Sequence, residues 1–228
     1  RTSLLEMARM MALCNAIVLK AVSMETLKHQ VRVSQYARFL AAKMVYRGNA
    51  EFSQEDLDFI ALAGQLHDSG KVEIESRLLE KEGGFSEEER ERMKDHAFTN
   101  EIIPFALIGL DTIFEAMLFH HENYDGTGYP FGISKEDIPM PAAVIHVADV
   151  FDALTHPRCY KPAWPFESAF RYIVDLSGRH FHPLVIDAFI DLFGRKYDLG
   201  MVSYLSPESE SSVQEMGSLT GQVSSYEA

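Results

Sequence analysis

Apolar and polar positions alternate along this chain as helical stripes separated by short polar breaks. Residues 4 to 22 are rich in Leu, Met and Ala and hold no Pro or Gly, which predicts a helix with a broad apolar face. From Met24 to Arg47 the positions Val33, Tyr36, Ala37, Leu40 and Met44 recur at three- and four-residue spacing, the period of a helix that buries one side. Gly48-Asn49 ends it. Ser53, with Glu55 and Asp56 after it, opens the next helix as an N-cap with acidic residues in the first turn. Leu57, Ile60, Ala61, Ala63 and Leu66 make that helix largely buried, and it ends in His67-Asp68-Ser69-Gly70-Lys71. Lys81 to Phe85 is a glycine-containing turn. Ser86-Glu87-Glu88-Glu89 is a capping box that opens a short charged helix to Lys94. His96 is expected beyond that helix, leading into an apolar one from Ile102 to Leu107 that Pro104 interrupts. Asp111 caps the helix that delivers His120 and His121.

The second half continues the pattern. Gly126, Gly128 and Pro130 make a turn, and Phe131 to Pro139 is a loop held on the core by Ile133 and Ile138. Pro141 suits a first helical turn, and Ala142 to Leu154 is nearly all apolar, so this helix should be central. Phe166 to Ser177 and Pro183 to Phe193 are two amphipathic helices joined by Gly178-Arg179-His180-Phe181-His182. No stretch alternates with the period of a strand. The expected class is all-α: a helical bundle with an N-terminal helical stalk. Residues 1–22 read as a connector from an upstream domain, 23–200 as the main domain, and 201–228 as a Ser/Glu-rich, poorly structured tail.

Composition narrows the function classes. An apolar share of 46% over 228 residues suits one sizeable core. No apolar run has the ~18 residues of a membrane span. The net charge of −13 disfavours non-specific contact with nucleic acid or anionic membrane. Cys14 and Cys159 are too few for a disulfide framework and fit a reducing compartment, so a cytoplasmic location is expected.

Eight polar residues stand awkwardly at or inside apolar helices: Glu25, His29, His67, Asp68, His96, His120, His121 and Asp149. Glu25 and His29 share a helix face and can reach one ion together, although taken alone such a pair is more often an ordinary surface pair. His67-Asp68 ending a buried helix is costly unless hydrogen-bonded or bound to metal. Asp149 inside the central helix needs a partner for the same reason. Together these groups exceed the needs of one ion. Imidazole with carboxylate suits iron, manganese, zinc or nickel, and paired metals are a recurrent clamp for phosphate ester hydrolysis.

These residues fall within a run of motifs. His67-Asp68 with Lys71 resembles the signature of the HD phosphohydrolase superfamily. His120-His121-Glu122 through Asp125-Gly126, Gly128, Tyr129 and Pro130 resembles its HD-GYP branch. Ala148 to Thr155 with Arg158, Tyr160 and Lys161 resembles that branch's next segment, and Gly178, His180, Phe181 and Pro183 its last. The resemblance spans about Met24 to Phe193 and implies an all-helical HD-type bundle that hydrolyses cyclic di-GMP. It implies metal ligation by His67, Asp68, His96, His120, His121 and Asp149, with Asp68 bridging. Glu25 and His29 match positions that allow a third metal. Lys71, Arg158 and Lys161 match contacts to substrate phosphate or guanine, and Tyr129 belongs to the same substrate-facing loop. Ser69, Ala143, Cys159 and His182 depart from the family pattern at positions that are not expected ligands.

The implied activity is cleavage of cyclic di-GMP to pGpG, and onward to GMP with a third metal, with Asp68 and Lys71 as catalytic residues. Two or three divalent ions, Fe or Mn first and Zn or Ni as alternatives, are the implied cofactors. Implied partners are an N-terminal receiver or sensor domain, a GGDEF-type diguanylate cyclase at the Gly-Tyr-Pro loop, and a second copy through the N-terminal helices. Alternatives of another class are a cyclic di-GMP receptor with low turnover and an HD hydrolase of a different nucleotide.

Overall fold

The computed structural model describes residues 6, 24–74, 78, 81, 84–99, 111–157 and 162–194. The expected connector apart from Glu6, the apolar segment 102–107, Arg158, Lys161 and the tail 201–228 lie outside the described residues. Seven α-helices occur among them: α1 Met24–Arg47, α2 Gln54–Leu66, α3 Glu87–Thr99, α4 Asp111–Leu118, α5 Met140–Thr155, α6 Phe166–Asp175 and α7 Pro183–Phe193. A 3-10 turn, Ser69–Glu73, follows α2, and another, Lys135–Asp137, precedes α5. The described residues contain no β-strand, only a single bridge between Ser177 and Phe181.

α5 is the axis of the bundle. Every residue from Ala142 to Leu154 is buried, which explains a sequence apolar on all sides. α1, with Val33, Ala37, Leu40, Ala41 and Met44 buried, packs on it and even more extensively on α2. That approach needs Gly64: a Cβ there would stand 3.2 Å from Ser34 Cα. Arg47 at the end of α1 pairs with Asp191 of α7 at 2.6 Å. Stacked Phe170 and Phe189, with ring centres 5.4 Å apart, join α6 to α7.

The helix signals act as expected at several ends. Ser53 and Asp56 form a reciprocal capping box, as do Ser86 and Glu89. Gly48, at φ +75°, ends α1, and Pro141 sits in the first turn of α5. Two expectations are corrected. The charged helix does not stop at Lys94; it continues to Thr99, because Met93 and Ala97 are buried and no Gly or Pro intervenes, so His96 rides in its last turn. α6 stops at Asp175, two residues early, where Leu176 leaves helical geometry and the chain turns back through Gly178, whose N–H donates to Phe181 O.

Candidate metal centre

Five elements deliver side chains to one buried point. His29 comes from the first third of α1, His67 and Asp68 from the end of α2, His96 from the last turn of α3, His120 and His121 from the turn after α4, and Asp149 from the middle of α5. All seven are buried. Four of the imidazoles are held by the same device. Nδ1 of His67 lies 2.7 Å from Gly64 O, that of His96 2.5 Å from Met93 O, and that of His120 2.5 Å from Met117 O. Nδ1 of His29 lies 2.7 Å from Asp152 Oδ2. A carbonyl or carboxylate oxygen only accepts, so each Nδ1 carries a proton, and in a neutral ring the lone pair then falls on Nε2.

The Nε2 atoms point inward. His29 Nε2 is 3.0 Å from Asp149 Oδ1 and 3.6 Å from Asp68 Oδ2. His67 Nε2 is 3.4 Å from Asp68 Oδ2 and 3.9 Å from Asp149 Oδ1. His96 Nε2 is 3.5 Å from Asp68 Oδ1 and 3.1 Å from His121 Nε2. The donor atoms therefore form two groups, His29/His67/Asp68 and His96/His120/His121, each within 4.8 Å. Asp68 stands between them, one oxygen toward each. Buried His120 Nε2 has no hydrogen-bond partner among the described residues. A buried lone pair without a donor is costly, and several converging on two carboxylates are what divalent cations coordinate. The residues present fit a metal centre.

Electrostatics point the same way. Burial pushes the His96 imidazole down to about 4 and holds those of His120 and His121 well below the usual range, so all three are neutral, as ligands must be. Burial works to raise the Asp68 carboxyl, but the Lys71 ammonium and His67 outweigh it and hold it well below the usual range. Burial likewise opposes ionisation of Asp149, and its contacts with His29 and His67 prevail. Both carboxylates are ionised.

Around this centre the other expected residues divide. Lys71 Nζ donates to Asp68 Oδ2 at 2.8 Å. The Tyr129 ring stacks on His121, centres 4.5 Å apart. Glu25 joins neither ligand group; its carboxylate meets Arg32 Nη2 at 3.4 Å and Lys28 Nζ at 3.9 Å, with the side chain 38% exposed. The structure thus brings His29, but not Glu25, into the cluster. Arg158 and Lys161 lie outside the described residues.

Three supporting residues escape the sequence reading. Asp152 receives His29 and, through both oxygens, Arg32. The signal was present: a second Asp one turn beyond Asp149 in an all-buried helix requires a cation, and Arg32 follows His29 by one turn. Glu122, also buried, accepts N–H bonds from Phe131 at 2.7 Å and Gly132 at 3.1 Å, tying the Gly-Tyr-Pro loop to the histidine pair.

Residues 13–185 match the HD domain family. A cyclic di-GMP phosphodiesterase of Thermotoga maritima is 38% identical over 175 residues, covering 74% of this chain and 45% of that protein. The cyclic di-GMP phosphodiesterase response regulator RpfG of Xanthomonas campestris is 40% identical over 148 residues, 60% of this chain and 37% of its own. A 3'3'-cGAMP-specific phosphodiesterase of Vibrio cholerae is 36% identical over 181 residues, 78% of this chain and 33% of its own. The chain spans less than half the length of these relatives. Among solved structures, an HDG"Y"P protein from Bdellovibrio bacteriovorus shares the fold with a TM-score of 0.58 at 22% identity, covering 74% of this chain and 52% of that one.

Proposed function

The chain belongs to the HD domain family over residues 13–185, and from that premise we propose that it hydrolyses cyclic di-GMP to linear pGpG. The observation that carries this reading is Asp68, buried between two histidine groups with one oxygen toward each and Lys71 Nζ 2.8 Å from the second. Similarity over most of the chain to relatives named for cyclic di-GMP hydrolysis supports the substrate.

In this reading His29, His67, Asp68, His96, His120, His121 and Asp149 would hold two divalent ions, with Asp68 shared between the two groups and Fe or Mn as the preferred metals. Bound there, the ions would supply Lewis-acid activation of the phosphodiester and of water. The chain's own residues do the rest. The Nδ1–H contacts fix each ring with Nε2 aimed inward. Lys71 sits where it can exchange part of its bond to Asp68 for a phosphate oxygen and offset the negative charge that grows there. Tyr129, stacked on His121, would border the bound substrate. Arg158 and Lys161 hold phosphate or guanine. A receiver or sensor domain upstream, a GGDEF-type cyclase on the Gly-Tyr-Pro loop and a second copy remain part of the proposal.

Hydrolysis of 3'3'-cGAMP is the second reading, favoured by relatives named for it at 36% and 33% identity. The test is turnover of both cyclic dinucleotides by anaerobically purified protein reconstituted with Fe(II) or Mn(II), with products separated by chromatography. Faster cleavage of cyclic di-GMP to pGpG is expected, with Asp68→Ala abolishing it. Faster cleavage of 3'3'-cGAMP selects the second reading. Intact substrate with metal bound makes the chain a receptor, and near-normal turnover in Asp68→Ala removes the bridging role.

A further inference from the structure

The chain of contacts behind His29 has a direction. His29 Nδ1 meets Asp152 Oδ2 at 2.7 Å. Arg32 Nε meets Asp152 Oδ1 at 2.6 Å, and Nη2 meets Oδ2 at 2.9 Å, a two-handed pair. His156 Nδ1 stands 3.0 Å from Asp152 Oδ1. The remaining reach of Arg32 Nη2 goes to Glu25 Oε1 at 3.4 Å. Asp152 is 1% exposed. Its carboxylate lies on the far side of the His29 ring from Asp68 and Asp149.

We propose that Asp152 is the positioning residue for His29, that Arg32 fixes Asp152 in that role, and that Glu25 serves as an outer partner of Arg32 rather than as a metal ligand. The physical reason is geometric. An imidazole presents Nε2 to a metal only while Nδ1 carries the proton, and a carboxylate behind the ring fixes both tautomer and ring angle. A fork of two N–H bonds from Arg fixes the carboxylate in turn, which a Lys at that position would not do. Arg32 thereby holds the one acidic side chain of the first α1 turn outside the centre. The consequence is a centre that fills with two ions, not three. This inference rests on the metal-centre reading above.

The test separates the two. Metal-free protein is titrated with Mn(II) and with Zn(II), with bound metal counted by elemental analysis and affinity by calorimetry. A parent chain that binds neither ion overturns the metal-centre reading itself. If the parent binds two, Glu25→Ala should also bind two with unchanged affinities. Asp152→Ala should weaken one of the two ions by about 10–100-fold and leave the other within a few-fold. Asp152→Asn, whose amide oxygen still accepts from Nδ1–H, should recover most of that loss. A salt bridge that only staples α1 to α5 would lower the melting temperature of metal-free Asp152→Ala without changing either affinity, and that result overturns the proposal. So does loss of one ion in Glu25→Ala. Should Asp152→Ala fail to fold, Arg32→Lys decides: weaker binding of one of the two ions is expected, because Lys cannot fork onto Asp152, and two unchanged affinities overturn the proposal.

Discussion

Gly128 has no room for a side chain. A Cβ there would lie 2.2 Å from Asn123 N, 2.4 Å from His121 O and 2.6 Å from Glu122 Cα, all backbone atoms that cannot swing aside. The loop must press on the 121–123 backbone at this point, because Tyr129 N–H donates to His121 O at 3.2 Å one residue later and the Tyr129 ring covers His121. Gly128→Ala should therefore lower stability by about 2–3 kcal/mol, the upper part of the range for overpacking, in urea unfolding and displace Tyr129 from His121. Gly126, at φ +82° with its nearest neighbours at 3.3 Å, should cost about 1 kcal/mol on replacement by Ala. An equal effect of the two replacements would remove the close-approach argument. At this scale the sequence is most legible where a residue type is costly in its context. His67, Asp68, His120, His121 and Asp149 were readable because a polar group beside apolar neighbours demands a partner. Asp152 and Arg32 were not singled out, because neither betrays which distant helix it faces: their contact spans 120 residues. Glu25 is the opposite case. Sharing a helix face with His29 permits a common ion but does not exclude a closer cation, and Arg32 supplies one.

Helices in this bundle end where their caps dictate, and the α7 cap is unusual. His182 is its N-cap, with Nδ1 accepting from Leu184 N–H at 3.2 Å, in place of the Asp that the family pattern leads one to expect. The side chain is buried and packs edge-on against Tyr124. Burial holds its pKa below the usual 6.5, with Glu136 opposing. Protonation would both charge a buried ring and remove the lone pair that caps the helix. The folded pKa is depressed, so the unfolded chain takes up the proton first. The stabilisation is complete above about 6.5 and is lost as pH falls through the folded value. His182→Ala should cost about 0.5–1 kcal/mol at pH 8 and progressively less as the buffer is taken below 6.5. His182→Asp should hold the cap across that range. Unfolding curves of the three proteins at pH 8 and 5.5 check this, and a parent–Ala difference that does not shrink on acidification refutes the cap. Element boundaries were legible wherever such local chemistry decides them, as at Ser53, Ser86, Gly48 and Pro141. The sequence reading failed at Lys94, where helix continuation depends on Met93 and Ala97 finding a buried surface that only the assembled bundle provides.

On the scale of the whole molecule, the bundle is unevenly tied together. α1, α2, α5 and α7 share a continuous apolar core, whereas α3 meets the rest chiefly through the Ser69–Glu73 turn and only slightly through α4. Among its described side chains α3 buries only Met93, Ala97 and His96. His96 contacts Asp68 and His121, so the candidate metal centre is itself a link between α3 and the bundle. A cation held by both ligand groups would bind the folded state alone and add its binding free energy to stability. At a free concentration 100-fold above its dissociation constant this is about 2.7 kcal/mol. For a domain of this size that raises the melting temperature by roughly 5–10 °C. The gain should be local before it is global. Chelation should speed amide exchange first in Glu87–Thr99 and Ser69–Glu73, while the buried middle of α5 keeps its protection. Hydrogen-exchange mass spectrometry of loaded and chelated protein makes the measurement. Uniform deprotection along α1, α5 and α3 would mean that the ions hold the core itself together. No change in α3 would mean that its packing on the 69–73 turn suffices without them.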